Sequence, residues 1–279
     1  MFKTAVERRY WLIELLANWE GRVNSGHLQH YCQLGRQQAS KTITSYQDEH
    51  PNQLEYCASA KSFLPTENFA PKFISIEVAE YLDWMSGQHA YQREQTEKYH
   101  IATAVLMTPK RLVKPTIMRP LIHALRQQTR VEINYTSVSN PDPEGRIIVP
   151  VRFVNTGQRW HLRAWCEKAQ AYRDFVLSRF RGVPIDEGPR LTPLPEDTHW
   201  HTQLTLRIQP DPRLSPEQQA VLEHDYGMED GELKLQVRAA LAHYLLQEMQ
   251  VSTKMLDGNP AAQQLILANY QDIQPWLFG

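Results

Sequence analysis

The spacing of apolar residues changes twice along this chain, and the change limits the folds it can adopt. In the first third, apolar residues recur every three or four positions, as in helices buried on one side. Residues 131–180 alternate apolar and polar residues in short runs typical of strands, and the remainder mixes both patterns. A chain of 279 residues also exceeds one ordinary core, so we expect an α+β protein of three modest domains.

The first third predicts three helices. "TAVERRYWLIELLANWEG" has a helical apolar stripe and stops at Gly21, and "SGHLQHYCQLG" predicts a shorter helix that starts at Ser25 as N-cap and ends at Gly35. The third helix lies in "RQQASKTITSYQDEHP", with Pro51 beyond its end. The stripe of the first helix is Val6, Tyr10, Ile13 and Ala17, and that of the third is Ala39, Ile43 and Tyr46.

Two short helices around a glycine turn, with a third helix in front, follow the order of a helix-turn-helix. After them, "NQLEYCASAKSFLPT" alternates well enough for two short strands joined near Ala58 to Lys61. Such a hairpin lies where a wing would. We therefore predict a winged helix-turn-helix DNA-binding domain in residues 1–70.

The outward face of the third helix is polar, and its carboxylates, Asp48 and Glu49, lie only at the far end. Hydroxyl, amide and cationic groups can donate to phosphates and base edges without desolvating a carboxylate. The alternative is a polar face that contacts only water. The predicted DNA-binding residues are Arg36, Gln37, Gln38, Ser40, Lys41, Thr42, Thr44 and Ser45, with Lys61 in the wing.

The rest of the chain predicts a helical connector in residues 71–130 and two further domains. In residues 131–192, the strands "VEINYTSV", "GRIIVPVRFV", "QRWHLRAWC" and "YRDFVLSRF" favour a small barrel over an open sheet. In residues 193–279, "QLTLRIQP" and "ELKLQVRA" predict strands, whereas "SPEQQAVLEHDYG" and "ALAHYLLQEMQ" predict helices. This alternation indicates a C-terminal α+β domain, which we expect to support dimerisation.

The net charge of -1 hides a strong partition of charge. Residues 146–182 carry eight Lys or Arg against two Asp or Glu, a local charge of +6, whereas residues 183–279 carry six against fourteen, or -8. The basic segment raises the local concentration of anions, phosphates in particular, and the acidic end disfavours a polyanion. The alternative is a solvated basic face that the acidic segment neutralises within a dimer.

Several other classes of protein lack support in the sequence. The apolar run "YWLIELLANW" is interrupted by Glu14 and is shorter than the ~20 residues of a membrane span, so we expect a cytoplasmic protein. No nucleophile-elbow, P-loop, G-x-G-x-x-G or H-E-x-x-H pattern occurs, and we predict no catalytic residue, cofactor or metal. "THWH" places His199 and His201 on one face of a predicted strand, without acidic or cysteine partners at ligand spacing.

The segment "RWHLRAWCEKAQAYRDFVLSRF" resembles the core signature of WYL-domain transcriptional regulators. The tripeptide that names the family stands here at 160–162 as Trp-His-Leu, with His161 in place of the usual tyrosine. Arg173 and Phe175 match the Arg-x-Phe of the family pattern, and Ser-Arg-Phe at 178–180 ends it. "VEINYTS" resembles the first strand of the domain, which usually carries a tyrosine at the position of Tyr135.

The N-terminal "QQASKTITSYQDEHPNQLEY" and "KSF" resemble the winged helix of WYL regulators encoded with anti-phage defence systems such as BREX and CBASS. The resemblance implies a winged helix-turn-helix, a central small Sm/SH3-like β-barrel and a C-terminal extension. It also implies a transcriptional repressor of a defence operon. Because a two-fold dimer repeats its recognition helices, we expect its operator to be an inverted repeat in double-stranded DNA.

Strand alternation predicts a basic, partly aromatic surface on the barrel. In "RWHLRAW", it places Trp160, Leu162 and Ala164 on one face of the strand, and His161, Arg163 and Trp165 on the other. In "RIIVPVRF", it predicts that Ile147, Val149, Val151 and Phe153 fill the core while Arg146 and Arg152 point away.

Arginine binds phosphate bidentately and aromatic rings stack on bases, so a nucleotide or short oligonucleotide effector suits this surface. The predicted effector-binding residues are Arg152, His161 and Arg163 from the strand register, with Tyr135, Arg173, Ser178 and Arg179 from the resemblance. For any one arginine, the alternative is a solvated or intersubunit ion pair. For the whole chain, the alternative is an RNA-binding or nucleotide-processing protein in which the basic barrel does the main work.

Overall fold

Helices and a short hairpin make up the N-terminal part of the structure, a computed structural model that describes residues 4–85, 111–138, 141, 144–190, 192–253 and 258–277. The first elements are α1 (Ala5–Glu20), α2 (Ser25–Cys32), α3 (Arg36–Glu49), β1 (Leu54–Cys57), β2 (Ser62–Pro65) and α4 (Val78–Met85). The chain divides into two compact units. One unit comprises Met1–Phe153 and His161–Leu191, and the other comprises Val154–Trp160 and Thr192–Gly279.

The ends of α1 and α2 follow from local capping. Thr4 caps α1, and Gly21 ends it in the left-handed region at φ 76°, as predicted. The cap of α2 is Asn24 and not the predicted Ser25, because the Asn24 side chain accepts from the backbone N–H of His27 while Nδ1 of His27 accepts from that of Asn24. This helix ends at Cys32, earlier than the predicted Gly35.

The apolar stripes predicted for these helices are mostly buried. In α1, Tyr10, Ile13 and Ala17 are buried, whereas Val6 is 43% exposed. The three stripe residues of α3, Ala39, Ile43 and Tyr46, are all buried.

The hairpin after α3 confirms the predicted wing. Strands β1 and β2 pair antiparallel, with Cys57 opposite Ser62 and a turn over residues 58–61. Val23 lies beside β2 and exchanges two backbone hydrogen bonds with Phe63, at 2.9 and 2.7 Å. These bonds tie the hairpin to the segment between α1 and α2.

Helix α5 (Pro115–Gln127) leads directly into a five-stranded sheet, the basic sheet, which contains the basic segment of residues 146–182. Pro115 opens it, where a missing N–H costs nothing, and Gln128 ends it in the left-handed region. The predicted apolar piece "IATAVLM" and the end of the preceding predicted helix lie outside the described residues.

Five strands follow α5 in one sheet of order β6-β5-β4-β3-β7. They are β3 (Thr129–Tyr135), β4 (Glu144–Asn155), β5 (Trp160–Cys166), β6 (Ala171–Val176) and β7 (Phe180–Pro189). The pairs β3–β4, β3–β7 and β5–β6 are antiparallel. Strands β6 and β7 lie at opposite edges, so no closed barrel forms among the described strands.

The register of β4 differs from the prediction at its first half. Ile148 is fully buried and lies opposite the buried Val131, whereas Ile147 lies opposite the exposed Glu132. The predicted core set, Ile147, Val149, Val151 and Phe153, is therefore wrong except for Val149, and the other three are half-buried. The run "IIVPV" is apolar on both faces of the strand. It therefore contains no apolar–polar alternation from which the buried face could be predicted.

The C-terminal part contains a three-stranded sheet of order β10-β8-β9, packed with helices. Its elements are α6 (Thr198–His201), β8 (Gln203–Pro210), α7 (Pro216–Asp225), β9 (Leu233–Arg238), α8 (Ala239–Glu248), β10 (Leu265–Leu267) and α9 (Tyr270–Ile273). The two strands and two helices predicted here are confirmed. "THWH" forms the short helix α6 and not a strand, because Asp197 caps it by accepting from the backbone N–H of Trp200.

Candidate nucleic-acid interface and basic sheet

Helix α3 presents a polar exposed face opposite its buried stripe. Eight of the predicted DNA-binding residues lie on this helix, and six of them are exposed: Arg36, Gln37, Gln38, Ser40, Lys41 and Thr44. Ser45 is half-buried. The exposed set offers guanidinium, ammonium, amide and hydroxyl donors along one side of the helix, a composition suited to phosphates and base edges.

Thr42 does not share that exposed face. It is 8% exposed, and its hydroxyl donates to the backbone carbonyl of Gln38 at 2.7 Å. A β-branched side chain one turn after Gln38 can satisfy its hydroxyl in this way within the helix. The structure therefore does not place Thr42 on the exposed face of α3 that is predicted to contact DNA.

Lys61 lies at the end of the wing turn and is exposed. Its backbone is in the left-handed region at φ 47°, and its N–H donates to the carbonyl of Ala58 at 3.3 Å. The wing turn is therefore compact, and it carries the cationic side chain of Lys61 at its end.

A buried carboxylate holds α3 against the rest of the N-terminal domain. Glu14 of α1 is 1% exposed and accepts three hydrogen bonds: from the hydroxyl of Tyr46 at 2.9 Å, and from the backbone N–H groups of Lys72 and Phe73 at 2.8 and 2.6 Å. Burial and the Glu14 carboxylate together raise the pKa of Tyr46 far above its usual value, so this hydroxyl remains a donor. One carboxylate therefore joins α1, α3 and the segment after the wing.

In the basic sheet, Tyr135 lies in the core and not on the surface. It is 7% exposed, and its ring contacts those of Phe175 and Phe180 at centroid distances of 5.0 and 5.5 Å. Its hydroxyl accepts from the backbone N–H of Val176 at 3.0 Å. Tyr135 of β3 thereby fixes the end of β6, and a direct contact with an effector is not available to its ring.

Arg163 is also buried, in an ion pair with Asp174 directly across the β5–β6 hairpin. The Nη1 to Oδ1 distance is 2.9 Å, and both side chains are 5% exposed. The guanidinium lies 5.6 Å from the ring centroid of Tyr172, which in turn packs against Trp165. The Arg163 guanidinium, predicted as a phosphate donor, is thus buried and donates to a carboxylate of its own chain in this structure.

The remaining predicted effector residues lie at different depths. His161 is 2% exposed and lies opposite Val176, on the same face of β5 as Arg163, as the strand alternation predicted. Arg152, Ser178 and Arg179 are half-buried, and Arg173 is exposed. The 3-10 turn Leu177–Arg179 joins β6 to β7, and the carbonyl of Arg179 accepts from the backbone N–H of Thr136 at 3.2 Å.

Two arginines of α5 bind the last turn of α1. Nε of Arg119 donates to the carbonyl of Asn18 at 2.9 Å. The guanidinium of Arg126 donates to both oxygens of Glu20 at 2.7 and 2.8 Å, and the hydroxyl of Tyr81 donates to the same carboxylate. The helix that enters the basic sheet is therefore fastened to the first helix of the DNA-binding domain.

Three family descriptions match successive parts of the chain. The BrxR transcriptional regulator winged helix-turn-helix domain matches residues 5–87, the WYL domain matches residues 116–185, and the BrxR transcriptional regulator C-terminal dimerization domain matches residues 203–273. The first contains α3 and the wing, the second contains the basic sheet, and the third contains the C-terminal sheet.

Curated relatives match the chain almost from end to end. A DNA-binding transcriptional repressor CapW from Pseudomonas aeruginosa is 32% identical over 96% of this chain and 90% of its own length. The chain belongs to the CapW family. CapW repressors from Stenotrophomonas maltophilia and Escherichia coli are 28% and 31% identical, over 97% and 96% of this chain and 91% and 90% of their own lengths. Membership of the CapW family confirms the predicted resemblance to WYL-domain transcriptional regulators.

The likeness of this CapW-family chain to a solved structure is much weaker. The proteasome accessory factor B/C (PafBC) of Arthrobacter aurescens is 13% identical and covers 97% of this chain and 47% of its own, at a TM-score of 0.26. A TM-score this low supports no statement about the fold.

Among the described residues, no group of three or more His, Cys, Asp or Glu side chains is placed to hold a metal ion. In the part of the chain that the structure describes, no helix is both long and apolar enough to cross a membrane.

Sequence reasoning missed the residues that hold these CapW-family surfaces in place. Glu14 was considered only as an interruption of an apolar run, and Asp174 only as one of two acids in a basic segment. Glu20 went unnoticed. The sequence did contain a signal for Asp174. Pairing residues outward from the turn of the β5–β6 hairpin places Asp174 opposite Arg163. Glu14 and Glu20 had no such signal, since their partners lie 32 and 106 residues away.

Proposed function

We propose that this chain is a homodimeric transcriptional repressor that binds double-stranded DNA through α3 and the wing and controls a phage-defence operon. The observation that carries the proposal is α3, whose buried stripe is opposite a face of exposed cationic, amide and hydroxyl side chains. The family description of residues 5–87 as a winged helix-turn-helix supports it. So do the names of the CapW relatives, which are DNA-binding transcriptional repressors.

Dimerisation is part of the proposal. The family description of residues 203–273 as a dimerization domain supports it, and the excess of acidic residues in 183–279 disfavours DNA contact by the same segment. A two-fold dimer would present two copies of α3, so an inverted repeat is the expected operator.

Footprinting on the DNA upstream of the gene tests the proposal. The wild-type protein is expected to protect an inverted repeat, and Lys41→Glu is expected to lose that protection because it replaces a phosphate donor with a repelling charge. The matched control is Lys234→Glu, which reverses an exposed lysine on β9 of the C-terminal sheet and should leave the footprint unchanged. Equal binding by wild type and Lys41→Glu, or binding to single strands alone, would contradict the proposal.

We also propose that the basic sheet senses an anionic ligand such as a nucleotide or short oligonucleotide. The local charge of +6 in residues 146–182 supports this ligand class. The accessible members of the predicted set, Arg152, Arg173, Ser178 and Arg179, would supply the contacts. Tyr135, His161 and Arg163 would support the strands from inside. Isothermal titration with mono- and oligonucleotides, against Arg173→Glu as the variant, tests this sensing role.

A small Sm/SH3-like barrel is the architecture that we propose for this sheet. Strands β6 and β7 lie at opposite edges yet are joined by a turn of only three residues, Leu177–Arg179, so the two edges must approach each other. The hydrogen bond from Val176 of β6 to Tyr135 of β3 spans the same gap. Such a curl is the geometry in which a five-stranded sheet closes upon itself.

No catalytic role is proposed. Within residues 146–182, the segment with the excess of cations, the two carboxylates Glu167 and Asp174 are engaged by Arg130 and Arg163. A general base would need a carboxylate or imidazole within reach of a substrate proton.

A further inference from the structure

The wing carries a large exposed aromatic side chain that the proposed function does not use. Tyr56 of β1 is 60% exposed, the largest exposed fraction of any Phe, Tyr or Trp in the described part of the chain. Exposing the apolar part of such a ring to water is unfavourable in the free protein. Burial against a partner would remove this free-energy cost.

Neighbouring residues hold the Tyr56 ring in place. Tyr56 lies opposite Phe63 of β2, and their rings meet edge to face at a centroid distance of 5.2 Å. Phe63 in turn exchanges backbone hydrogen bonds of 2.9 and 2.7 Å with the fully buried Val23. Because the ring rests on a strand fastened to the domain core, and tyrosine has few rotatable bonds, a partner would order it at little entropic cost.

The charges around Tyr56 favour an anionic partner. Lys61 at the wing turn is exposed, four residues from the strand that carries Tyr56. The nearest acid in sequence, Glu55, lies opposite Leu64 and therefore on the other face of the hairpin. The wing thus combines an aromatic ring and a hydroxyl donor on one face of its hairpin with an exposed cation in its turn.

We infer that Tyr56 contacts the DNA backbone beside the site of α3, with its ring against a deoxyribose and its hydroxyl donating to a phosphate. This inference rests on the proposed function. Tyrosine hydroxyls are among the groups that position proteins on phosphates, and they carry no charge. Tyr56 therefore adds affinity without releasing a counterion, in contrast to Lys61.

Salt-dependent operator titrations with the full-length protein test the inference. Tyr56→Ala is expected to weaken binding about tenfold and Tyr56→Phe about threefold, since the second loses only the hydroxyl. Neither should change the slope of log affinity against log salt, whereas Lys61→Ala should reduce that slope by about one. Ile185→Ala, which removes an exposed apolar side chain from β7, is the control and should bind as wild type does.

A second measurement guards against a misfolded wing. A benzophenone amino acid at position 56 keeps an aromatic ring there, and it should crosslink to operator DNA on irradiation. The same amino acid at position 185 should not. Thermal melts of every variant establish that the domain is folded.

The possible failures are distinguishable. Loss of binding by Lys41→Glu, together with wild-type affinity for Tyr56→Ala and no crosslink at position 56, overturns this inference alone. Wild-type binding by Lys41→Glu as well overturns the proposed function. A reduced salt slope for Tyr56→Ala, equal to that of Lys61→Ala, would mean that Tyr56 only positions the lysine, and it too overturns the direct contact.

Discussion

The hydroxyl of Tyr46 donates to the carboxylate of Glu14 at 2.9 Å, and this bond joins the predicted recognition helix α3 to the centre of α1. The second oxygen of the same carboxylate accepts from the backbone N–H groups of Lys72 and Phe73. With three donors, the buried charge is hydrogen-bonded on both oxygens. The position of the predicted DNA-facing helix therefore depends on a buried residue of α1.

Removing that carboxylate should destabilise the N-terminal domain more than removing its tyrosine partner. Glu14→Ala removes the acceptor of three hydrogen bonds, one of them from the buried Tyr46, and should lower the free energy of unfolding by about 3 kcal/mol. Tyr46→Phe removes one donor of three and should cost about 1 kcal/mol. Urea denaturation followed by tryptophan fluorescence measures both, since Trp11 and Trp19 are buried in α1.

Glu67→Ala serves as the control, because Glu67 is exposed in the same domain. It should change the free energy of unfolding by less than about 0.5 kcal/mol. Equal stability of Glu14→Ala and this control would show that the three hydrogen bonds do not hold the domain together.

We expect Arg163 to contribute mainly to the stability of the folded protein. Arg163→Ala removes the guanidinium that pairs with the buried Asp174, and breaking a buried ion pair costs about 3–5 kcal/mol. We expect a large loss of thermal stability, measured by calorimetry.

The double variant Arg163→Ala with Asp174→Ala separates charge from packing. It removes both members of the pair, so its loss of stability should be smaller than the sum of the two single losses. If the losses simply add, the two side chains do not interact, and the ion pair seen across β5 and β6 has no energetic weight.

Elements with a clean periodic pattern were predictable. The α3 stripe of Ala39, Ile43 and Tyr46 and the turn at 58–61 of the wing were both confirmed, because each depends on residues close in sequence. The limits of the helices were less predictable. Asn24 displaced Ser25 as the cap of α2 through a reciprocal bond with His27, and several residue types cap equally well in this position.

Burial within the basic sheet could not be predicted from alternation. Both faces of β5 are buried from His161 to Ala164, so alternate residues do not separate surface from core. Strand alternation predicts Arg163 on the outward face, yet its side chain is buried and Asp174 compensates its charge. Likewise Ile147 and Ile148 are chemically identical, and only pairing with β3 decides which of them is buried.

Deleting the C-terminal domain should weaken association and operator binding together. A chain that ends near Asp197 loses the three-stranded sheet matched by the dimerization-domain description. We expect a lower molar mass by light scattering and weaker binding to a full inverted repeat. Binding to an isolated half-site should change little, because a single α3 contacts it.

A truncated protein with the mass of a full dimer would contradict this expectation. The dimer contacts would then lie in residues 1–196. Circular dichroism of the truncated chain checks that α1 to α5 remain helical, so that weaker binding is not mistaken for unfolding.

The C-terminal unit should lose stability in acid through Asp211. Its side chain is fully buried, and hydrogen bonds from Arg213, including the bidentate guanidinium contact, hold the pKa of Asp211 below its ordinary value. A carboxyl group with a depressed folded-state pKa stabilises the protein at pH values above its unfolded pKa, and that contribution is lost as the pH falls through the folded pKa. Wild type should therefore be more stable than Asp211→Asn near neutral pH, and the difference between them should shrink over the acidic range below about pH 4, the ordinary pKa of an aspartate. Urea denaturation of both proteins across that range measures the difference, and a difference that stayed constant with pH would show that Asp211 titrates alike in the folded and unfolded chain.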